Sequence, residues 1–414
     1  MSIIQPIPPE DFDEWVTLYL NAFPGEHPVR SLEHWQRTKA HLLALAEEPT
    51  AGFYGLYRQG RLLGGMCVHD YTMNFFGAPA PVGGVGHLSV HLAHKKEHIA
   101  KELVTYWLER CRERGQILAL LHPFRPDFYR RMGFGYGPKM SQFRLRPSAL
   151  PRGLSKSGVR LVGPDEVDAV VECYTRYARR THGMIEMTAW DANALRRPEL
   201  LIAGYERAGR LEGYVTFTFE PGEHSLYADM HVWDLIAETP DALSELLTFL
   251  HSQADQIRYI AFETLDDTLH FVLADPRWPG QGLIPPAYHP INRQGVGLMV
   301  RVTDVRRALE CLRERDWGGQ TCRLSLRVTD SFLPANAACI YLGLEEGHLR
   351  LDVTGEPQVE LCLDVAEFSA LLYGAVPLRR LVGYGLAQVS DPAYVDVLDR
   401  AFAVRDAPVC LTRF

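Results

Sequence analysis

The sequence lacks the features of an exported, disulfide-stabilised or membrane-spanning protein. Its eight cysteines are scattered without a C-x-x-C pair, so a reducing compartment fits them best. No uninterrupted apolar run approaches the roughly 20 residues that cross a bilayer. The first residues, MSIIQPIPPEDFDEW, have no basic region ahead of an apolar core. We therefore expect a cytoplasmic protein without a membrane partner.

Motifs of the common hydrolases are also missing, as is an excess of positive charge. The sequence has no G-x-S-x-G elbow and no Walker-type loop. Its 43 lysines and arginines are outnumbered by 51 aspartates and glutamates, which gives a net charge of -8. This balance argues against a nucleic-acid partner and is compatible with cationic small molecules. The length of 414 residues predicts about two to three domains.

Residues 83–136 carry the strongest local pattern. Apolar runs of strand length, residues 88–92 and 117–121, flank an amphipathic segment. Its apolar residues recur at offsets of three and four, as on one face of a helix: Ile99, Leu103, Val104, Trp107, Leu108 and Cys111. We expect Lys95 and Lys96 in the first turn of this helix, where unpaired N–H groups favour anions. The pattern predicts a strand–helix–strand unit that binds a phosphate-bearing ligand.

A similar order of elements occurs again further along the chain. Residues 159–263 have the pattern of strand, helix, hairpin, strand, helix and strand, which indicates an internal duplication. In the second copy the strand-to-helix turn is Glu238-Thr239-Pro240-Asp241, and its two acids would repel a diphosphate. We therefore expect one ligand-binding copy and one structural copy.

A third pattern, typical of an α+β domain, begins near residue 295. Strands are predicted at residues 297–302, 322–328, 338–344, 348–353 and 359–363, and helices at residues 305–313, 365–373 and 392–402. The chain then ends in the apolar tail PVCLTRF, which we expect to be packed. The predicted domains are residues 1–147, 148–290 and 291–414.

The three-part layout and the central stretch together resemble the Gcn5-related N-acetyltransferase (GNAT) superfamily, and specifically its enhanced-intracellular-survival (Eis-type) branch. The resemblance implies an α/β (α+β) fold: two tandem acetyltransferase-like domains followed by a sterol-carrier-protein-like α+β domain. It implies acetyl-CoA as cosubstrate, no metal, and a homo-oligomer, since the relatives form hexamers. The implied reaction is direct transfer of acetyl to a primary amine, which is aminoglycoside-like, another small amine or a lysine.

The coenzyme A loop of the superfamily, Arg/Gln-x-x-Gly-x-Gly/Ala, corresponds here to Lys95-Lys96-Glu97-His98-Ile99-Ala100. His98 stands where the family has a glycine, the residue that permits the closest approach of backbone to pyrophosphate. By this resemblance the cofactor-binding residues are Leu88, Ser89 and Val90 for pantetheine, and Lys95, Lys96, His98, Ile99 and Ala100 for the diphosphate.

Two further matches concern catalysis. Residues 128–136 look like the Tyr-x-x-x-Gly-Phe/Tyr segment of the superfamily, which makes Tyr129 the general acid for the leaving thiolate. The chain ends in Phe414, as Eis-type chains typically do, so its α-carboxylate inherits the role of base. Arg413 stands where some relatives carry an acid, which argues against polycationic substrates.

The same resemblance implies an acceptor pocket. Glu26, Trp35 and His87 match its lining, and Glu26 would attract the cationic amine. The amine would be a small molecule or a lysine side chain.

Two other interpretations remain open. His94 and His98 would be i, i+4 on a helix, with His87, His91 and Glu97 nearby, which is the spacing of a metal-dependent hydrolase. The lysines beside His94 oppose a dication there. The other interpretation is a non-catalytic protein of the same fold that binds an apolar ligand or a partner.

Overall fold

The computed structural model describes residues 2–28, 31–222, 226–280, 282–284 and 287–414. They form two compact units: the chain up to Gly137 together with Leu298–Phe414, and Pro138–Gly297. The first unit holds a seven-stranded and a five-stranded sheet, and the second unit holds one seven-stranded sheet. Within the described ranges, no helix combines the length and apolar character needed to cross a membrane.

The first part of unit 1 contains the strand–helix–strand unit that the sequence predicts within residues 83–136. Its strands are β1 (Ser2–Pro6), β2 (Ala51–Arg58), β3 (Arg61–Phe75), β4 (Ala78–Val90), β5 (Leu118–Leu121) and β6 (Gly135–Tyr136). Its helices are α1 (Phe12–Ala22), α2 (Leu32–Ala46), α3 (Ile99–Glu113) and α4 (Pro126–Arg130). Strands β1 to β4 are antiparallel neighbours, and β4 pairs with β5 in parallel.

Local sequence explains these elements. Gln59 and Gly60 have positive φ angles of 51° and 74°, which suits the tight turn of the β2–β3 hairpin. All six residues of the predicted apolar stripe of α3 are buried in the core. Trp107 of this stripe stacks on Phe134, with ring centroids 5.9 Å apart. The predicted amphipathic helix is therefore confirmed, and its burial anchors it to the sheet.

Unit 2 repeats the arrangement, which confirms the predicted duplication. Its strands are β7 (Lys139–Leu145), β8 (Val159–Leu161), β9 (Leu201–Arg207), β10 (Arg210–Pro221), β11 (Ala228–Ala237), β12 (Ile257–Thr264) and β13 (Arg293–Val296). Its helices are α5 (Val167–Ala178), α6 (Ala189–Ala194) and α7 (Pro240–His251). The sheet order is β13-β7-β12-β11-β10-β9-β8, with β11 and β12 parallel.

The N-terminus of α7 differs from that of α3 in a way that suits a structural copy. The Thr239 hydroxyl accepts a hydrogen bond of 3.2 Å from the N–H of Ala242, and Pro240 has no N–H to offer. Asp241 adds a negative charge in the first turn. Fewer donors therefore face outward at this helix end, although its lack of a coenzyme A site stays a prediction.

The C-terminal part of the chain completes unit 1. Its strands are β14 (Met299–Val302), β15 (Cys322–Thr329), β16 (Ala338–Glu345), β17 (His348–Leu351), β18 (Val359–Asp364) and β19 (Ala387–Val389). Its helices are α8 (Val305–Cys311), α9 (Val365–Tyr373), α10 (Leu378–Gly383) and α11 (Val395–Phe402). The five-stranded sheet has the order β17-β16-β15-β18-β19, and every residue of α9 is buried.

One predicted strand joins a different sheet. The sequence places residues 297–302 in the third sheet, but β14 pairs with β5 and β6 of the first sheet instead. All four β14 residues are buried. Its sequence, MVRV, is apolar except for Arg301, and such a short pattern does not specify the partner strand. The predicted domain boundaries stay predictions.

Candidate active site

The candidate site begins where β4 separates from β5. The two strands pair over three residues only, ending at Gly84, while β4 continues along β3. Beyond Gly86 the register between β3 and β4 shifts, so that His87 and Leu88 lie opposite Met66 alone. This is the geometry of a β-bulge, which bends the strand and interrupts its regular hydrogen bonding.

The bulge interrupts the regular pairing of β4 with β3. His87 has a positive φ of 54°, and its carbonyl oxygen accepts a hydrogen bond of 2.6 Å from the Ser89 hydroxyl. In the described part of the chain, no strand pairs with the β5 side of β4 beyond Gly84. Leu88, Ser89 and Val90, the predicted pantetheine strand, lie in this segment, which has a neighbouring strand on its β3 side only.

Helix α3 begins beside this strand. A Cβ added at Gly64 would meet Ile99 at 2.7 Å and the Ser89 carbonyl oxygen at 2.8 Å, so glycine lets the helix start approach the sheet closely. The Glu102 N–H donates the first intrahelical hydrogen bond, to the His98 carbonyl oxygen at 3.0 Å. The N–H groups of residues 99–101 therefore have no partner within the helix, and a helix end of this kind can bind an anion.

The prediction that Lys95 and Lys96 lie in the first turn of α3 is wrong. The helix begins at Ile99, because Lys96 and His98 adopt left-handed conformations with φ angles of 69° and 63°. A right-handed helix excludes such angles. Both lysine side chains are exposed in the preceding loop, where they still place positive charge ahead of the helix.

His98 is the N-cap residue of α3, and its side chain makes no capping hydrogen bond. It holds the left-handed conformation that a glycine would adopt freely. The histidine therefore preserves the backbone path, at a cost of about 1–2 kcal/mol for a residue with a Cβ.

The loop before α3 is fastened to β2. Arg58 donates hydrogen bonds to the Glu97 carboxylate and carbonyl, both at 3.2 Å, and to the Glu102 carboxylate at 2.6 Å. His94 pairs with Glu97 at 3.1 Å.

His94 lies in a short turn and His98 precedes the helix, so the predicted i, i+4 helical pair of metal ligands is wrong. Among the described residues, no group of three potential ligands could hold a metal ion.

Tyr129 lies in α4 and is only 3 % exposed. Its ring meets Phe128 and Phe134 edge-on, with centroids 5.1 and 5.9 Å away. Burial raises the pKa of Tyr129 above its usual range, so the hydroxyl keeps its proton at neutral pH. The residue is therefore in the state that a general acid requires.

A buried ion pair supports the turn after Tyr129. Arg301, fully buried on β14, donates to the Met132 carbonyl oxygen at 2.5 Å and to Asp330 at 2.6 Å. Asp330 also accepts from the Asn336 amide at 3.1 Å. The C-terminal part of the chain therefore fixes the segment that carries the tyrosine.

The C-terminal tail packs on β4, which confirms that it is not free in solvent. A Cβ at Gly86 would lie 2.8 Å from the carboxyl carbon of Phe414, and one at Gly84 would lie 3.3 Å from the Phe414 ring. The ring lies among three aromatic side chains, with centroids 6.1, 5.6 and 5.1 Å away: His69, Tyr71 and His122. The terminal carboxyl group thus lies against β4, next to the bulge.

The three predicted acceptor residues lie in different surroundings. His87 lies at the bulge, and its ring is 5.0 Å from that of Tyr19. Trp35 donates a hydrogen bond of 3.1 Å to the Thr17 hydroxyl and lines a cavity of about 450 Å³. Glu26 is exposed, and its charge acts on Tyr19, where burial and this charge together raise the pKa to about 12.

Sequence reasoning missed the residues that receive the C-terminus. His69, Tyr71 and His122 surround the Phe414 ring, and no motif contains them. A signal was present in the Gly83-Gly84-Val85-Gly86 run, because glycine inside a strand often marks the close approach of another backbone.

Known families match the three parts of the chain. Residues 4–137 and 178–302 match two family models that are both described as acetyltransferase (GNAT) domains, which together cover more than half of the chain. Residues 305–411 match a sterol carrier protein domain. The chain therefore consists of two GNAT domains followed by a sterol-carrier-like domain.

Similar proteins align with most of the chain. A protein named an uncharacterized N-acetyltransferase from Streptomyces avermitilis is 26% identical over 80% of this chain and 81% of its own. A protein of the same description from Streptomyces coelicolor is 25% identical over 91% of each chain. Two crystal structures share the fold over the full length of both chains. They are a GCN5-related N-acetyltransferase from Anabaena variabilis (18% identity, TM-score 0.82) and Eis1 from Mycobacterium abscessus (20% identity, TM-score 0.76).

Proposed function

Because the chain belongs to the GNAT acetyltransferases and has an Eis-like domain layout, we propose that it transfers acetyl directly from acetyl-CoA to a primary amine where β4 and β5 separate. The main support for this proposal is the position of Phe414, because its carboxyl carbon lies against Gly86 beside the bulge. Tyr129 shares one core cluster with Val85 of β4 and Ile99 of α3. The proposed acid, the proposed base and the start of α3 thus all belong to the part of unit 1 built around β4.

GNAT acetyltransferases use acetyl-CoA, and the start of α3 suits its diphosphate. The N–H groups of Ile99, Ala100 and Lys101 have no partner within the helix, and the helix dipole is positive there. Lys95 and Lys96 add positive charge from the preceding loop. The acetyl-CoA thioester supplies the acyl group, and the main chain of residues 88–90 would orient it.

The Phe414 carboxylate would act on the acceptor amine. An alkylamine with a pKa of about 10.4 is mostly protonated at pH 7, which imposes a penalty of roughly 4–5 kcal/mol on the reactive form. A carboxylate with a pKa of about 3.5 is a weak base, so it accepts the proton as bond formation acidifies the nitrogen. Glu26 would attract the cationic amine, and Trp35 and His87 would line its path.

Tyr129 would donate its proton to the departing thiolate. Its raised pKa keeps the hydroxyl protonated over the whole neutral range. Acid assistance of this kind is worth about 100- to 10,000-fold in rate. Because the amine attacks the acyl group directly, no covalent intermediate on the protein is needed.

The proposal is tested by measuring thiol release from acetyl-CoA with a panel of primary amines. The native chain is compared with a variant that carries Gly-Ser after Phe414, and with a matched variant that carries the same dipeptide at the N-terminus. We expect turnover to fall about 100-fold or more only in the C-terminal extension. Tyr129→Phe should fall by a similar factor while still binding acetyl-CoA. Undiminished turnover in the C-terminal extension would refute the carboxylate base.

We also propose, on the resemblance alone, a cytoplasmic homo-oligomer that has no nucleic-acid or membrane partner. Light scattering of the purified chain would show the number of subunits. A monomer at micromolar concentration would contradict the oligomer.

A further inference from the structure

The His69 imidazole is a buried polar group that the proposed mechanism does not use. His69 lies on β3 and is 5 % exposed. Its Nε2 is buried and has no hydrogen-bond partner in the part of the chain that the structure describes. Most buried polar atoms in proteins are hydrogen-bonded, so an exception beside a candidate active site indicates a role in the reaction.

The carboxyl group of Phe414 adjoins this nitrogen. A Cβ added at Gly86 would lie 2.8 Å from the Phe414 carboxyl carbon and 3.4 Å from a carboxyl oxygen. The same Cβ would lie 3.9 Å from His69 Nε2. The carboxyl group and the imidazole nitrogen therefore meet over one glycine, where a larger residue would leave no room for both.

Neighbouring rings fix the direction of the imidazole. The Tyr71 ring stacks on it, with centroids 5.2 Å apart and an interplanar angle of 3°. The Phe414 ring lies 6.1 Å away from it. A Cβ at Gly84, which is opposite His69 in the β3–β4 register, would lie only 2.8 Å from the Tyr71 ring. The stack is therefore confined by the sheet, and His69 Nε2 keeps its position beside the tail.

Two neighbouring polar residues already have partners. The Asp70 carboxylate accepts hydrogen bonds from Arg110 at 2.8 Å and from Gln116 at 2.6 Å. His122 Nε2 is 3.3 Å from the Thr412 carbonyl oxygen, so this histidine contacts the main chain of the tail. His69 faces the carboxyl group of the tail instead.

The imidazole of His69 is neutral at pH 7. Burial lowers its pKa to about 3, and His87 acts in the same direction against the opposing effect of Asp70. A neutral imidazole has one N–H and one lone pair, and an adjacent carboxylate favours the form with the proton on Nε2. We assign that form to His69. Hydrogen bonds of this kind are often long before substrate binds and tighten in the complex.

We propose that His69 is a positioning residue for acetyl transfer, whose Nε2–H donates a hydrogen bond to the Phe414 carboxylate and holds this base beside β4. The proposal rests on the proposed acetyltransferase function and adds a residue to the same site. His69 keeps its own proton throughout and acts on the amine only through the carboxylate.

The test compares three substitutions of His69 in the full chain, with the amine that the native chain acetylates fastest. His69→Gln places an amide nitrogen near the position of Nε2, and we expect kcat within about threefold of the native value. His69→Asn is one methylene shorter and cannot reach the carboxylate, and His69→Phe keeps a flat ring for Tyr71 but has no donor. Both should lower kcat about 10- to 100-fold. Calorimetry should show unchanged affinity for acetyl-CoA in all three.

A double-mutant cycle separates positioning of the carboxylate from a general effect on structure. In the chain that carries Gly-Ser after Phe414, the carboxylate has already been displaced. His69→Phe should therefore lower kcat by less than about twofold in that extended chain. Thermal unfolding shows whether each variant folds, and if His69→Phe does not, the Gln and Asn variants decide the test.

The outcomes distinguish this inference from the proposed function. Native kcat in His69→Phe or His69→Asn, or an equal loss from His69→Phe in the extended chain, would overturn the role of His69 alone. If the extension itself leaves turnover unchanged, the carboxylate base and this inference fail together. If no amine in the panel consumes acetyl-CoA, the acetyltransferase proposal fails as well.

Discussion

The left-handed residue at the start of α3 makes a quantitative prediction about stability. His98 has φ and ψ angles of 63° and 9°, and its side chain makes no capping hydrogen bond. Replacing it with glycine removes the contact between Cβ and backbone that disfavours this conformation by about 1–2 kcal/mol. Glycine loses more conformational entropy on folding, which offsets about 0.5–1 kcal/mol of that gain. The net stabilisation expected for His98→Gly is therefore on the order of 0.5–1 kcal/mol.

His98→Ala separates the backbone effect from loss of the imidazole. Alanine keeps the Cβ and therefore the strain, so we expect it to be no more stable than the native chain. The assay is urea unfolding followed by fluorescence, with thermal unfolding as a second measurement. A gain of this size corresponds to roughly 1–4 °C in Tm for a unit of about 250 residues.

The same pair of variants tests the cofactor loop. If glycine serves the diphosphate better, His98→Gly should bind acetyl-CoA at least as tightly as the native chain, and calorimetry would measure it. A glycine variant that is no more stable than the alanine variant would refute the strain argument.

Three further predictions concern the tail, the buried ion pair and pH. Gly86→Ala places a methyl group 2.8 Å from the Phe414 carboxyl carbon and should lower kcat at least about tenfold by displacing it. Asp330→Ala leaves Arg301 buried without its carboxylate, which should cost about 3–5 kcal/mol in unfolding experiments. Burial lowers the pKa of His87 to about 4, so the unfolded chain binds more protons below pH 6.5, and this histidine alone should lower stability by about 2 kcal/mol from pH 7 to pH 5.

Each of these predictions has a control. Gly25→Ala adds the same methyl group where no atom lies within 4 Å, and should leave kcat unchanged. Asp330→Asn retains an acceptor for Arg301 and should be less damaging than Asp330→Ala. His87→Asn tolerates the positive φ and should make the stability profile between pH 7 and pH 5 less steep, while His69, whose pKa burial lowers to about 3, keeps part of the slope. An equally steep profile in that variant would show that other groups bind the protons.

Helical periodicity predicted α3 well because burial of one face fixes which residues are apolar. It could not locate the helix start, since nothing in the pattern of charges shows that Lys96 and His98 adopt left-handed conformations. A lysine before an apolar stripe suits a first helical turn and a preceding loop equally well. The hydrogen-bond donors at the helix start are therefore the N–H groups of residues 99–101. The two lysines lie in the preceding loop and not in the first turn.

The sequence also did not predict which distant segments lie together in the fold. The mainly apolar residues of β14 indicated a strand but not its partner, because any unpaired edge of the right length can accept such a strand. The position of Phe414 at the site followed from resemblance alone. Its physical basis is the close fit at Gly86, which depends on two segments more than 300 residues apart.

The pairing of β14 with β5 and β6 has a consequence for biosynthesis. During synthesis on the ribosome, the buried strand β5 (Leu118–Leu121) is made first, and roughly 180 further residues follow before its partner β14 is complete, which takes about 9–36 s at typical rates. During that time its edge is open to binding by chaperones or to aggregation.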